Sequence, residues 1–377
     1  MTGNIVAVTA LAAFMVFSLG AQPVEQKLKK LTELGLAEAP GEVPVFYVKS
    51  AEERAIRLQK SLQAGHAWFQ KQLHVQVPIT LAVLDSATWG KVTGYPYGMP
   101  HMFGSESGPG LVVFAATPVP KPPSEPLPGI DRDHAYGGVL NSEHILFHEV
   151  GHILAGRLKI MRRPNHLVDE LVATMFAASY IAFERPDLNV FLQGRRAAQP
   201  PRYTSLADLD YLGNKVGQKN YTWLHQELWP LAAVLVKGHS FPTLIEKLQK
   251  LFPPTSNDRA LMPEEIVERL ERIQPDFSKG SLTKPSTITR IKPTACPESA
   301  QGMDNSDEEN GQPVVIRNNT NEPLDIPLAE YPGQLWRVAA HSWRTANDIR
   351  VGSAFKLPDG TCLVAREEPT LAIIGKE

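Results

Sequence analysis

The stretch His144–Gly156, HILFHEVGHILAG, carries three histidines at intervals of four, with a glutamate directly after the second. On a helix, His148 and His152 share one face and lie about 6 Å apart along the axis. Two imidazoles so placed can close on one Zn2+ at about 2.0–2.1 Å. Glu149 follows the first of them and projects to one side, where a carboxylate can take a proton from a water held at the ion. His148-Glu149-Val150-Gly151-His152 is therefore an HExxH pattern, and its chemistry needs a neutral histidine pair beside an ionised acid. His144 stands eight residues from His152, about 12 Å along a helix, too far to share an ion with it. A place on the first-turn surface, or behind a ligand, is expected for His144. The flanks Ile145, Leu146, Phe147, Val150, Ile153 and Leu154 are apolar, which suits a buried central helix.

A third ligand decides the class of site. The extended pattern HExxHxxGxxH would need Gly and His where this chain has Ala155 and Leu158, so that reading fails. Downstream runs HLVDELVATMFAASY, His166 to Tyr180, with Glu170 placed 18 residues after His152 on a second helical pattern. Here the chain resembles the gluzincins, thermolysin-like zinc metallopeptidases whose third ligand is a glutamate on the next helix. Asp169-Glu170-Leu171-Val172-Ala173 is similar to that family's N-E-G-F-A-type segment. The resemblance implies that Glu170 completes the metal set and that Asp169 orients a histidine from behind. Asp169 stays open as an alternative ligand. His166 lies too near the start of its helix for the family spacing, and a capping or surface role is expected for it.

The resemblance reaches from about Ile79 to Leu251 and implies further parts. In the family a sheet precedes the active-site helix, and its edge strand holds an extended substrate by strand addition. LVVFAA, Leu111–Ala116, occupies the expected place. Family aminopeptidases carry a Gly-x-Met-Glu-Asn segment before HExxH, whose acid binds a free amino terminus. Gly98-Met99-Pro100-His101-Met102 lacks that Glu and Asn, which favours an endopeptidase. Members also use a downstream Tyr or His to stabilise the tetrahedral oxyanion. Tyr211, Tyr221, His225 and His239 are candidates. Tyr221 is preferred, because it opens the helical run YTWLHQELWPLAAVLV.

The elements that must position these residues read as follows. Ser50-Ala51-Glu52-Glu53 looks like a capping box opening a helix to about Leu73. Pro44–Val48, Ile79–Leu84 and Leu111–Ala116 have strand character. Thr117–Gly129 holds six prolines and can be neither helix nor central strand. Helices are predicted from Ser142 to about Ile160, from about Asn165 to Phe183, and over Tyr221–Val236, Phe241–Leu251 and Pro263–Ile273. Strands before helices predict an α+β zincin-like domain, a small mixed sheet packed on the HExxH helix followed by a mostly helical part, over residues 21–278. Residues 279–312 are rich in Pro, Ser, Thr and acid and read as a linker. Short β-like runs follow in residues 313–377, around Val314–Arg317, Leu335–Ala339, Ala354–Leu357, Cys362–Ala365 and Leu371–Ile374. They predict a small all-β accessory module able to bind a partner.

Composition bounds the rest. The chain has 377 residues, 43% hydrophobic and 21% charged, with a net charge of −2, which is ordinary for a globular protein and argues against nucleic acid or an anionic membrane as partner. Ile5–Ala21 is apolar and uncharged, too short for a comfortable span, and reads as a signal peptide over residues 1–20, with an uncleaved membrane anchor as the alternative. The expected location is secreted or periplasmic. The only two cysteines, Cys296 and Cys362, can pair after export or stay as thiols. The expectation is thus an exported Zn2+-dependent peptidase acting on a peptide or protein. His148, His152 and Glu170 would be ligands, with Glu149 as general base and Tyr221 on the oxyanion. A non-catalytic zinc-binding or interaction module with a relic HExxH, and a zinc hydrolase of a non-peptide amide, are the other readings.

Overall fold

The structure is a computed structural model. It describes residues 23–376 apart from 96, 105–106, 118–142, 161–164, 194–201, 204, 214–217, 255–258, 276, 278–287, 298–311 and 329–333. The signal peptide over 1–20, most of the proline-rich loop and most of the expected linker lie outside the described residues.

The chain is α+β. Helix α1 (Val24–Glu33) and strands β1 (Ala37–Ala39) and β2 (Val45–Tyr47) lead into α2 (Glu52–Leu73), then β3 (Ile79–Leu84), α3 (Ser86–Val92), β4 (His101–Gly104) and β5 (Gly110–Ala115). The five strands form one mixed sheet in the order β1-β2-β3-β5-β4, with β2, β3 and β5 parallel and β1 and β4 antiparallel to their neighbours. Strands β3 and β5 are buried at every position, as continuous apolar runs flanked on both sides must be.

Two expectations need correcting. Ser50 does not cap α2: it lies in a 3-10 turn, Lys49–Ala51, and Ala51 is the residue that precedes the helix. Leu111–Ala116 is not the edge strand. The run that becomes β5 is sandwiched between β3 and β4, and among the described residues the outer strand on that side is β4, His101–Gly104. A four-residue strand with a proline just before it has too little alternation to be read from sequence.

The helical part follows as α4 (Glu143–Arg157), α5 (His166–Glu184), α6 (Leu206–Leu212), α7 (Gln218–Val236), α8 (Phe241–Leu251) and α9 (Pro263–Glu271). Helix α5 is long and apolar enough to cross a bilayer by composition, but it is a core helix, buried from Leu167 to Ile181 except at Asp169. Helix α4 packs between the sheet and α5. Ile153 on α4 fits over Gly104 and Gly110, where any side chain would clash or crowd it, and Arg157 Nη2 donates to Gly108 O at 2.6 Å. On the other flank Phe147 lies over Gly65 of α2, 2.7 Å from where a Cβ would stand.

The C-terminal strands are β6 (Thr289–Ile291), β7 (Thr294–Ala295), β8 (Gln312–Asn318), β9 (Leu324–Pro327), β10 (Leu335–Val338), β11 (Ser342–Ile349), β12 (Ala354–Lys356), β13 (Thr361–Val364) and β14 (Thr370–Ile374). They form small sheets in the orders β11-β8-β14-β6, β12-β13-β7 and β10-β9. Strands β6 and β7 come from the stretch read as linker, so that reading is too wide: Thr289–Ile291 pairs with β14 and Thr294–Ala295 with β13. Cys296 and Cys362 are joined in a disulfide. These strands pack against the helical part. Trp343 packs on Tyr211 with ring centroids 5.0 Å apart and donates to Leu261 O at 2.9 Å.

The start of α5 is held by Asn165, which is fully buried. Its amide donates to Asp210 Oδ2 on α6 and to Leu261 O, both at 2.9 Å, and its Oδ1 accepts from Leu261 N at 2.6 Å. Asp210 Oδ1 accepts from the Leu167 N–H, one of the donors left open at the helix start. Asn165→Ala would leave a buried carboxylate oxygen of Asp210 and the Leu261 N–H without these partners, while Leu261 O keeps Trp343. It is expected to cost about 2–4 kcal/mol in chemical denaturation.

Candidate metal centre

Helices α4 and α5 cross closely, and Gly151 is what lets them. A Cβ there would stand 2.6 Å from Ala173 O and 2.9 Å from Ala173 Cα, both main-chain atoms that cannot swing aside. Gly151 is the residue between Val150 and His152 inside the HExxH pattern. The crossing therefore falls where the two histidines face α5, and it brings Glu170 onto them.

The three predicted ligands converge. His148 Nε2 lies 3.1 Å from His152 Nε2 and 3.1 Å from Glu170 Oε2, and His152 Nε2 lies 3.5 Å from the same oxygen. Ligand atoms about 2.0–2.1 Å from a tetrahedral ion stand roughly 3.3 Å apart, so this triangle has the size a zinc-class cation needs. Each histidine is also oriented from behind. Thr174 Oγ1 donates its one hydrogen to Glu170 O at 2.7 Å, so toward His148 Nδ1, at 3.2 Å, it is an acceptor. His148 thus carries its proton on Nδ1 and turns the Nε2 lone pair inward. His152 Nδ1 donates to Asp169 Oδ1 at 3.1 Å, with the same result. Asp169 therefore stands behind His152, as the resemblance implied, and the inward acid is Glu170. Thr174 could not be read from the sequence. It lies one helical turn beyond Glu170, and only the crossing of α4 over α5 aims it at His148.

Three inward lone pairs at these distances repel one another unless a positive charge, either a cation or a shared proton, sits among them. When a proton rather than a cation sits among these groups, His225, His152 and the contacts from His148 outweigh the burial of Glu170 and hold its carboxyl well below its usual range. Burial likewise opposes charge on His152, yet Asp169 and Glu170 lift it well above the ordinary histidine value. Glu149 is buried beside them. Burial pushes its carboxyl up, against the pull of His148 and His152. The donor set of two imidazoles and one carboxylate fits a borderline divalent ion such as Zn2+.

Other predicted residues fall as follows. Tyr221 lies on α7, but its side chain is outside the described residues. His225, one turn further on the same helix, does reach the site: its Nε2 is 3.6 Å from Glu170 Oε2. Burial pushes its pKa down to about 4, so it is neutral at pH 7. Tyr211 is turned away against Trp343, and His239 Nε2 meets Ile273 O at 3.1 Å. His144 is not on the surface. It is buried edge-on against Trp229 of α7, ring centroids 5.1 Å apart. Asn165, not His166, precedes the helix, and His166 is part exposed with its Nε2 3.7 Å from Glu170 Oε1. The His-x-x-x-Glu spacing of His166 and Glu170 was the available signal for that contact.

Gly151→Ala tests whether the crossing sets the site. The methyl must push α4 from α5, at about 1–3 kcal/mol of overpacking. The variant is expected to stay helical by circular dichroism while its affinity for added Zn2+ falls at least about tenfold.

No family model matches the chain, and no curated protein matches it. Among solved structures it is similar to aminopeptidase A of Legionella pneumophila, crystallised in complex with aspartic acid, at 15% identity and a TM-score of 0.39, over 83% of this chain and 35% of that one. The chain thus spans about a third of that enzyme's length, and a likeness this distant leaves the site geometry to carry the functional reading.

Proposed function

We propose that this chain is an exported zinc-dependent peptidase, with the endopeptidase reading favoured. The observation that carries the proposal is the triangle of His148 Nε2, His152 Nε2 and Glu170 Oε2, with both histidines fixed from behind and an acid, Glu149, buried next to it. Zinc bound there would acidify a water toward neutral pH and polarise a scissile carbonyl.

The chain's own residues supply the rest. Glu149 takes the proton of the attacking water and returns it to the leaving amine. The burial that makes its carboxyl a better proton acceptor also keeps bulk water from competing. His225 is neutral and adjacent to the ligand oxygen, so its ring N–H can donate to the oxyanion as negative charge develops. Tyr221, four residues earlier on α7, remains a second donor candidate. The lack of Glu and Asn in Gly98–Met102 removes the group that would bind a free amino terminus. A bridge between Cys296 and Cys362 supports an oxidising location outside the cytoplasm.

Glu149→Gln should keep the metal and lose turnover of a model peptide by at least about a thousandfold, while His148→Ala and Glu170→Ala should lose both. Metal analysis beside a peptide-cleavage screen reads this directly. Near-normal cleavage by Glu149→Gln would sink the mechanism, and zinc lost in Asp169→Ala but kept in Glu170→Ala would move the third ligand.

His225→Ala should lower kcat by about 100-fold or more, with KM and the affinity of the His148–His152–Glu170 site for zinc little changed. Zinc loss in that variant as severe as in His148→Ala would instead make His225 a fourth ligand and the site a closed, structural one.

A further inference from the structure

Glu170 has two oxygens, and the triangle uses one. Oε2 faces His148 and His152, whereas Oε1 faces His166 at 3.7 Å. His166 lies one helical turn before Glu170 on α5, on the same face. His225 reaches in from α7, with Nε2 at 3.6 Å from Glu170 Oε2. The ligand atoms of His166, Glu170 and His225 all fall within 4.8 Å of one another.

We propose that His166, Glu170 and His225 form a second divalent-cation site, with the Glu170 carboxylate bridging the two ions. This shares a ligand with the first site and so rests on that assignment. The chemistry of the second set is the same as that of the first, two imidazoles and a carboxylate, which suits Zn2+ or Co2+ over Mg2+ or Ca2+. One carboxylate serving two cations is a common arrangement in paired-metal hydrolases, whose ions stand about 3.5–4 Å apart.

The two sites differ in two respects that set their strength. His166 Nε2 and His225 Nε2 stand 3.7 and 3.6 Å from different Glu170 oxygens, against 3.1–3.5 Å within the first triangle, so the second set must draw in further before it holds an ion. The imidazoles of the second set are also wetter: the side chains of His166 and His225 are 34% and 24% exposed, against 7% for His148 and 8% for His152. The second ion therefore binds more weakly and exchanges with solvent more readily. A further consequence is exclusive use of His225. While its Nε2 holds an ion, that nitrogen cannot donate to a substrate oxyanion.

The test is titration of the chelator-treated full chain with Co2+ and with Zn2+, followed by calorimetry and, for cobalt, by visible absorption and EPR. Two binding events are expected, the second weaker by at least about tenfold, and the cobalt EPR signal should broaden as the second ion arrives beside the first. His166→Ala, and His166→Gln as a variant that keeps side-chain size and polarity, should each lose the second event while the first stays within about threefold of wild type. A single event in the wild type, or a second event that persists unchanged in both variants, overturns the proposal. If the first event is missing as well, the metal centre itself is wrong, an outcome distinct from loss of the second event alone.

Discussion

The close crossing of α4 and α5 is the constraint on which the site depends. Two helices normally keep 8–10 Å between axes because side chains stand between them. At Gly151 there is no side chain, and the Ala173 main chain occupies the room a methyl would take. The approach has three effects at once. It carries Glu170 to His148 and His152, it puts Thr174 behind His148, and it buries all of them where electrostatic interactions are strong. A glycine that seems a mere spacer within HExxH is therefore what lets the second helix supply a ligand.

The surrounding layers keep that crossing in place. On one side Phe147 and Ile153 settle onto Gly65, Gly104 and Gly110, so α4 is seated on α2 and on the β4–β5 hairpin by side chains meeting bare backbone. On the other side α5 is pinned at its start. Asn165 and Asp210 tie it to α6 and to Leu261, and Trp343 of the C-terminal module donates to that same Leu261 carbonyl. The β module is thereby connected, through one backbone position, to the helix that bears Glu170. Its packing contributes to holding the helix that bears Glu170.

The environment also separates the roles of chemically similar groups. Asp169 and Glu170 are adjacent acids, yet one stands behind His152 and the other faces the ion position, because neighbours on a helix point about 100° apart. Glu149 and Glu170 are both buried carboxyls. Burial leaves Glu149 more basic than usual, while three histidines around Glu170 hold it ionised. The first suits a proton acceptor and the second a ligand.

Much of the site was legible in the chain alone. His148, Glu149 and His152 follow from helical periodicity, which is local and survives any packing. Glu170 followed from its place on the next helical run and from the family resemblance. What sequence could not settle were relations between elements distant in the chain. Leu111–Ala116 was read as the edge strand because its apolar run is conspicuous. The edge is His101–Gly104, a short strand whose place outside β5 is a matter of sheet order. For His144 a surface place and a place behind a ligand are both open in sequence, and Trp229, from a helix far along the chain, decides against the surface. Thr289–Ala295 looked like linker because its strands are too short to show a period, and only pairing with β13 and β14 makes them strands. His166 and His225 are separate histidines in sequence, and it is the packing of α7 beside α5 that brings both to Glu170. Periodicity along one element is written in the sequence, whereas the meeting of faces from several elements is decided by packing, a cooperative property of the whole chain.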